Sequence, residues 1–271
     1  MIIGNKSFEI GNRTYIMGIL NMTPDSFSDG GQHNSIDEAL RHAAEMVEEG
    51  ADIIDVGGES TRPGYAQISV REEISRVAGV IKAICSTLDV PVSIDTYKPE
   101  VAREAIRAGA SMINDIWGFQ KYPDMAAVAA EYNVACCLMH NSEKAEYVDI
   151  ISGIESFLTK SVEIAIKSGI DKSKIILDPG IGFGKTYEHN LDTLRKLQNL
   201  KKLDFPILLG TSRKSVVGNA LKLPVEQRLE GTLATTVIGI EKGVDFIRVH
   251  DVKENKRACM MADIIYRHRG L

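Results

Sequence analysis

Carboxylates, amides and cations recur in this chain at one kind of place, the end of a short apolar run. The runs read YIMGILN, DIIDVGG, PVSID, SMIND, ACCLMH, KIILDPG, PILLGTS and FIRVHD. The polar groups at or just beyond their ends are Asn21, Glu59, Asp95, Asn114 with Asp115, His140 with Asn141, Asp178, Ser212 to Ser215, and Arg248 with His250. Asp95, Asn114 and Asp178 together offer acceptors and donors to a flat heterocycle that carries amino and carbonyl groups. Lys214 can donate to a carbonyl or nitrogen of the same ring. A Schiff-base role is the alternative for Lys214, but its Ser-Arg-Lys-Ser setting favours anion and ring contacts. Arg248 and His250 are two apart, so in a strand both leave on one face. Such a pair suits a phosphate or diphosphate, with arginine giving a fork of donors. The Asn21 amide oxygen is a fit ligand for Mg²⁺, which accepts carbonyl oxygens beside substrate phosphates and water. Each group also has a structural alternative: an aspartate capping the next helix, an ion pair for Arg248, a hydrogen-bonded wall for His140, packing for Met139.

Three loops deepen the question. DPGIGFGKT, 178–186, crowds glycines before Lys-Thr as the phosphate-cradling G-x-x-x-x-G-K-[ST] loop does. The register differs: Pro179 stands where that motif needs its first glycine, and starting from Gly180 leaves the loop one residue short. The spacing of the dinucleotide fingerprint is missing too. These glycines therefore read as backbone that lies close to something bound against Asp178. NMTPDSFSDGG, 21–31, holds Phe27 and Asp29, and GGESTRPG, 57–64, holds Thr61, Arg62 and Pro63. Both have the makeup of rim lids, and equally of solvated turns. The four cysteines show no C-x-x-C pair or zinc-ligand spacing, so no thiol chemistry is expected.

The elements that must position these groups follow from the pattern. Between the apolar runs lie helical stretches such as SIDEALRHAAEMVEEG, where Leu40, Ala43, Ala44 and Val47 share a face and Gly50 supplies a stop. Eight buried strands, each followed by a helix, argue for an α/β fold, a (β/α)8 TIM barrel, rather than an open doubly wound sheet. At 271 residues the chain suits one barrel of about 250 residues, so 1–271 reads as a single domain. SFEIGNRTYIMGIL alternates around Gly11-Asn12 and predicts a short N-terminal β-hairpin. In such a barrel chemistry sits at the C-terminal ends of the strands, where the polar groups above fall. A net charge of −5 argues against a nucleic-acid partner. No stretch approaches the about 20 apolar residues of a membrane span, and the N-terminus turns polar too early for a signal peptide. The expectation is a cytoplasmic protein.

Taken in order, GILNMTPDSFSDGG, GADIIDVGGESTRPG, SIDTYK, INDIWG, DPGIGFGKT, GTSRKS and RVHD resemble the dihydropteroate synthases, folate-pathway enzymes that join a pterin to para-aminobenzoate. The match covers nearly the whole barrel. Met22 replaces the valine expected after Asn21, and nothing is carried over for the segment after His140. The resemblance implies that Asp95, Asn114, Asp178 and Lys214 hold the pterin ring, with Ile116, Met139 and Phe183 lining its pocket. Asn21, Arg248 and His250 would hold the diphosphate, with Asn21 on Mg²⁺. Phe27, Thr61, Arg62, Pro63 and Ser215 would form the para-aminobenzoate side together with Lys214. Asp29, Asp95, Lys214 and Arg248 would be catalytic, Asp29 orienting or deprotonating the amine. Sulfonamides, as arylamine mimics, would share that pocket, and a homodimer through late helices is implied. The rivals are a methyltetrahydrofolate-binding barrel of the corrinoid methyltransferase class, a non-catalytic pterin-binding barrel, and a phosphate-sugar lyase or isomerase of the same fold. The TRPG, SRKS and RVHD stretches favour the synthase over the first.

Overall fold

The computed structural model describes residues 1–22, 31–59 and 67–267, with 31–34 as backbone alone. Eight parallel strands alternate with helices: β1 Tyr15–Asn21, β2 Ile53–Gly57, β3 Val92–Asp95, β4 Met112–Asp115, β5 Ala135–Met139, β6 Ile175–Asp178, β7 Leu208–Leu209 and β8 Phe246–Val249. Their lateral order is β6-β5-β4-β3-β2-β1-β8-β7. A parallel bridge between Leu177 and Ile207 joins the two ends, supported by the Leu177 amide donating to the Pro206 carbonyl at 2.9 Å, so the sheet closes into a barrel.

The strands read as unbroken apolar runs because both of their faces are buried. Ile54, Ile94, Ile113, Cys136, Leu177 and Ile247 face outward into the layer shared with the helices. Tyr15, Met17, Ile53, Met112, Cys137, Ile176, Leu208 and Phe246 face inward and fill the lower barrel. Phe8 closes the bottom, its ring 4.8 Å from Tyr15 and 5.8 Å from Phe246. Two positions further up the same inward rows the residues turn polar: Asp55 above Ile53, Asn114 above Met112, Asp178 above Ile176, Arg248 above Phe246. The barrel is thus an apolar plug below and a charged layer above.

The helices are α1 Gly31–Glu48, α2 Val70–Thr87, α3 Pro99–Arg107, α4 Asp124–Glu131, α5 Ile150–Lys167, α6 Tyr187–Arg195, α7 Ser215–Leu221, α8 Leu229–Glu241 and α9 Val252–Tyr266. Local sequence sets their ends. Ser69 accepts from the Glu72 amide to cap α2, Pro99 opens α3, and Thr186 with His189 forms a capping box on α6. Gly50 follows α1 at φ +104°, the stop expected of it.

One expectation changes. The hairpin pairs Ile2–Ile3 with Lys6–Ser7 around Gly4-Asn5, not strands around Gly11-Asn12. Gly4 takes φ +58° at the first turn position, as a two-residue hairpin loop prefers, while Gly11-Asn12 lie in a turn, closed by the Asn12 amide donating to the Glu9 carbonyl, whose flanks do not pair with each other. Along HNLDTLRKLQNL α6 gives way to a 3-10 segment at Leu197–Leu203. The stretch from Pro224 to Gly243 is also divided, because Arg228 folds back to donate to the Leu223 and Arg213 carbonyls, each at 3.0 Å. The helix α7, directly after Lys214, was not expected.

Candidate active site

The charged layer is organised around Arg248. Its Nε donates to Asp55 Oδ2 at 2.6 Å and one terminal nitrogen donates to Asp95 Oδ2 at 2.6 Å. Asn114 Nδ2 donates to the same Asp55 Oδ2 at 3.1 Å. A carboxylate only accepts, so this bond turns the amide oxygen of Asn114 away from Asp55. Asp55 and Asp95 are buried, and the second oxygen of each has no partner among the described residues. Two carboxylates facing one guanidinium leave excess negative charge out of water. Burial pushes Asp95 up to about 7, with Arg248 opposing and Asp55 reinforcing the rise. Burial works against the Arg248 charge, but Asp55 and Asp95 outweigh it and hold the guanidinium protonated. The ion-pair alternative for Arg248 is therefore present, and it leaves part of the guanidinium for an anion.

Asp178 and Lys214 act on each other as opposite charges without a direct bond. Asp178 accepts from the Gly180 amide at 2.6 Å, and burial raises its pKa while Lys214 lowers it. Burial pushes Lys214 down to about 8 against the pull of Asp178. Its Nζ donates to the Ile181 carbonyl and stands 4.4 Å from the centroid of Phe183. Tyr97, Ile116 and Met139 form a separate buried cluster against which Trp117 and Phe183 pack. The structure therefore brings Asp95, Asn114, Ile116, Met139, Asp178, Phe183 and Lys214 around one apolar-walled, polar-floored space, the makeup of a small-molecule site.

The remaining residues sit at its mouth. Asn21 ends β1 beside Gly57, and a Cβ at Gly57 would lie 3.5 Å from Asn21 Oδ1 and 3.7 Å from Asp95 Oδ2, so the missing side chain leaves those groups room. His250 Nδ1 lies 2.9 Å from Ser212 Oγ, and the His250 amide donates to that oxygen at 3.1 Å. The hydroxyl accepts from the amide and shares a second hydrogen bond with the imidazole. Arg213 takes a left-handed φ of +57° and pairs with Asp251 at 2.5 Å, bracing the turn that carries Lys214. Ser215 is exposed at the first position of α7. Among the described residues no group of three or more His, Cys, Asp or Glu could hold a metal. Phe27, Asp29, Thr61, Arg62 and Pro63 lie outside the described residues.

The flanks of 60–66 are tied together. Lys98 Nζ donates to Glu59 and Glu73, each at 2.7 Å, and to the Ile68 carbonyl at 2.8 Å. Glu59 also accepts from the Tyr97 hydroxyl at 2.6 Å and the Ile68 amide at 2.9 Å. Asp115 caps its own turn through the Trp117 and Phe119 amides. His140 is a wall, its ring edge-on to Phe157 at 5.0 Å. Sequence reasoning passed over Asp55 and Lys185. Asp55 had a signal, a carboxylate inside an apolar run in step with Ile53; Lys185 was hidden by its likeness to a phosphate-loop lysine.

A site of this composition on a barrel rim has close parallels. The family model described as pterin binding enzyme matches residues 17–250, and the chain belongs to that family. The dihydropteroate synthase of Clostridium beijerinckii is 63% identical over 268 residues, covering 98% of this chain and 100% of that protein. A crystal structure of dihydropteroate synthase from Clostridium difficile in the presence of pteroic acid superposes with a TM-score of 0.94 at 55% identity, covering 96% of this chain and 100% of that one. The Xanthomonas albilineans dihydropteroate synthase with 4-aminobenzoic acid gives 0.90 at 40% identity, covering 94% of each chain. Within the pterin-binding enzymes, this chain stands with the dihydropteroate synthases.

Proposed function

We propose that this rim condenses 6-hydroxymethyl-7,8-dihydropterin diphosphate with para-aminobenzoate, giving 7,8-dihydropteroate and diphosphate, by departure of diphosphate before attack of the arylamine. The observation that carries the reading is the Asp55–Arg248–Asp95 bridge beside Asn114 and the Asp178–Lys214 pair. A pterin edge presents alternating donors and acceptors, and these groups present their complements. Asp95 and Asp55 each keep an oxygen for a ring N–H, and Asn114 spends an N–H on Asp55, which leaves its amide oxygen to accept. Lys214 donates to a ring acceptor, and Ile116, Met139 and Phe183 pack on the faces.

In the bond-breaking step the electron pair of the methylene C–O bond leaves with the diphosphate. The electron-rich ring delocalises the cation, and the Asp95 carboxylate stabilises it across a site with little water. Arg248 and His250 meet the negative charge of the departing oxygens. Asn21 is the described residue that would hold Mg²⁺, an ion that when bound neutralises phosphate oxygens. One neutral amide oxygen without an all-protein cage fits an ion held mainly by phosphate and water. The arylamine nitrogen then forms the C–N bond and gives up a proton, the role assigned to Asp29. Thr61, Arg62, Pro63, Phe27 and exposed Ser215 form the arylamine side.

The clostridial structure with pteroic acid and the xanthomonad structure with 4-aminobenzoic acid support these two substrates. Met260, Met261, Ile264 and Ile265 on α9 are each at least half exposed, which supports a homodimer through late helices. No helix among the described residues is long and apolar enough to cross a membrane, and a cytoplasmic place of work is the reading we adopt. The test is diphosphate release from the pterin diphosphate with Mg²⁺, with and without para-aminobenzoate, for the wild type and Asp95→Asn. Arylamine-dependent turnover that the variant loses is expected. Pterin binding without turnover would overturn the reading in favour of a methyltetrahydrofolate-binding or non-catalytic barrel.

A further inference from the structure

The glycine loop after β6 carries a cation that the scheme above does not use. Lys185 turns back beneath its own loop, where its Nζ lies 2.8 Å from the Gly180 carbonyl oxygen, 3.1 Å from that of Phe183 and 2.7 Å from His140 Nδ1. Its polar contacts are these two carbonyls and the imidazole, and Asp178 acts on it through charge alone. An ammonium has three donors and no acceptor. Burial pushes Lys185 down to about 7, with Asp178 opposing and Lys214 adding to the fall; in the ammonium form all three donors are satisfied and His140 Nδ1 accepts. That assignment agrees with the surroundings of the ring. Burial, followed by the Lys185 charge, pushes His140 down to about 3, so the imidazole is neutral with its proton on Nε2.

The two loops joined by this contact lie backbone on backbone. A Cβ at Gly180 would stand 1.9 Å from the His140 carbonyl oxygen, and one at Gly184 would stand 2.4 Å from that of Ser142. The Tyr147 hydroxyl donates to the Gly184 carbonyl at 2.7 Å, and the His140 amide donates to the Asp178 carbonyl at 2.9 Å. Between the two carbonyls that Lys185 holds runs a tight turn, closed by the Phe183 amide donating to Gly180 at 3.1 Å. That turn presents the Ile181 carbonyl to Lys214 and the Phe183 ring to the pocket wall.

We infer that Lys185 is a positioning residue of the ring pocket: by bonding two carbonyls of its own loop and the imidazole of His140, it fixes the Gly180–Phe183 turn and so sets Phe183 and Lys214 against a bound pterin. This accounts for a Gly-Lys-Thr that imitates a phosphate loop while its lysine points at protein. It also separates Lys185 from Lys214, four residues of whose surroundings belong to the substrate site while those of Lys185 are backbone and His140.

The inference deepens the pterin-site reading, so two measurements keep them apart. Long-range nitrogen–proton NMR spectra of the wild-type histidines need no substrate; His140 is expected as the neutral form with Nδ1 unprotonated, its Nδ1 resonance shifting in Lys185→Met. A protonated Nδ1 in the wild type would overturn the inference. Steady-state kinetics follow, with wild-type turnover as the check on the synthase reading itself. Lys185→Met is expected to raise KM for the pterin diphosphate about tenfold, the loss of one to two net hydrogen bonds. KM for para-aminobenzoate should rise less than that for the pterin, because of Phe183 and Lys214 only Lys214 borders both sides, and Lys185→Arg should recover part of the loss because it keeps a donor cation. An unchanged pterin KM, or an equal rise in both constants, would overturn it. If Lys185→Met does not fold, Lys185→Arg and the wild-type spectra decide. A wild type without turnover would count against the synthase reading and leave the imidazole measurement to stand alone.

Discussion

Replacing Asp55 by asparagine removes one charge from the centre of the rim and keeps its shape. Asp55 Oδ2 accepts from Arg248 at 2.6 Å and from Asn114 at 3.1 Å, and an amide oxygen can accept both bonds. What changes is charge, and the unpaired oxygen, which becomes an N–H donor toward the ring. A hydrogen bond to a charged group contributes about 1.5–3 kcal/mol and a neutral one about 0.5–1.5. Arg248 stays charged, so its bond to the amide oxygen remains charge-assisted and the loss there lies toward the lower end, about 1 kcal/mol, or about fivefold in kcat/KM for the pterin diphosphate. A second effect has the opposite sense. The Asp55 charge helps to raise Asp95, which burial has already lifted to about 7. Without it Asp95 ionises at lower pH. If the Asp95 carboxylate is the active form, activity is lost as pH falls through its pKa, so the acid limb of kcat/KM moves toward acid in Asp55→Asn. The assay is diphosphate release at subsaturating pterin diphosphate across pH 5 to 9, with kcat/KM reporting the free enzyme. An acid limb that stays in place, or moves toward base, would refute the assignment of that limb to Asp95.

Other perturbations test other parts. Lys214 is pushed down to about 8, so pterin affinity should fall as pH rises through that value and the ammonium is lost; Lys214→Arg should abolish this alkaline limb, and its persistence would assign the limb elsewhere. Lys98→Met leaves Glu59 and Glu73 buried without their shared cation, which should cost about 3–5 kcal/mol of stability by denaturant titration and raise KM for the arylamine more than for the pterin. Gly180→Ala places a methyl 1.9 Å from a backbone oxygen at φ +68° and should abolish pterin binding in calorimetry. Gly11→Ala, with nothing within 4 Å of the added carbon, should bind normally.

The barrel was legible because both strand faces are buried, so each strand announces itself as an apolar run, and because chain length limits how many ways eight strand–helix units can close. Asp95, Asn114, Asp178 and Arg248 were legible as polar ends to those runs. What they contact was not. Arg248 in sequence suggests an anion site; only the closed barrel shows Asp55 and Asp95, 193 and 153 residues away, on two edges of its guanidinium. The hairpin was misplaced because Gly11-Asn12 and Gly4-Asn5 are equally good turn dipeptides, and the choice between them is made by Phe8, which has to reach the barrel floor. Lys185 could not have been read at all: its partners are two backbone carbonyls and a histidine from another loop.

The aromatic plug of Phe8, Tyr15 and Phe246 gives the molecule a traffic rule. Among the described residues the barrel floor is closed, so water displaced by an incoming ring has no exit through it and leaves past the ring itself. Whatever rests on Asp95 and Asn114 is the deepest occupant, first to enter and last to leave. An inhibitor seated at the mouth then acts as a stopper, and its residence time becomes that of the molecule trapped beneath it.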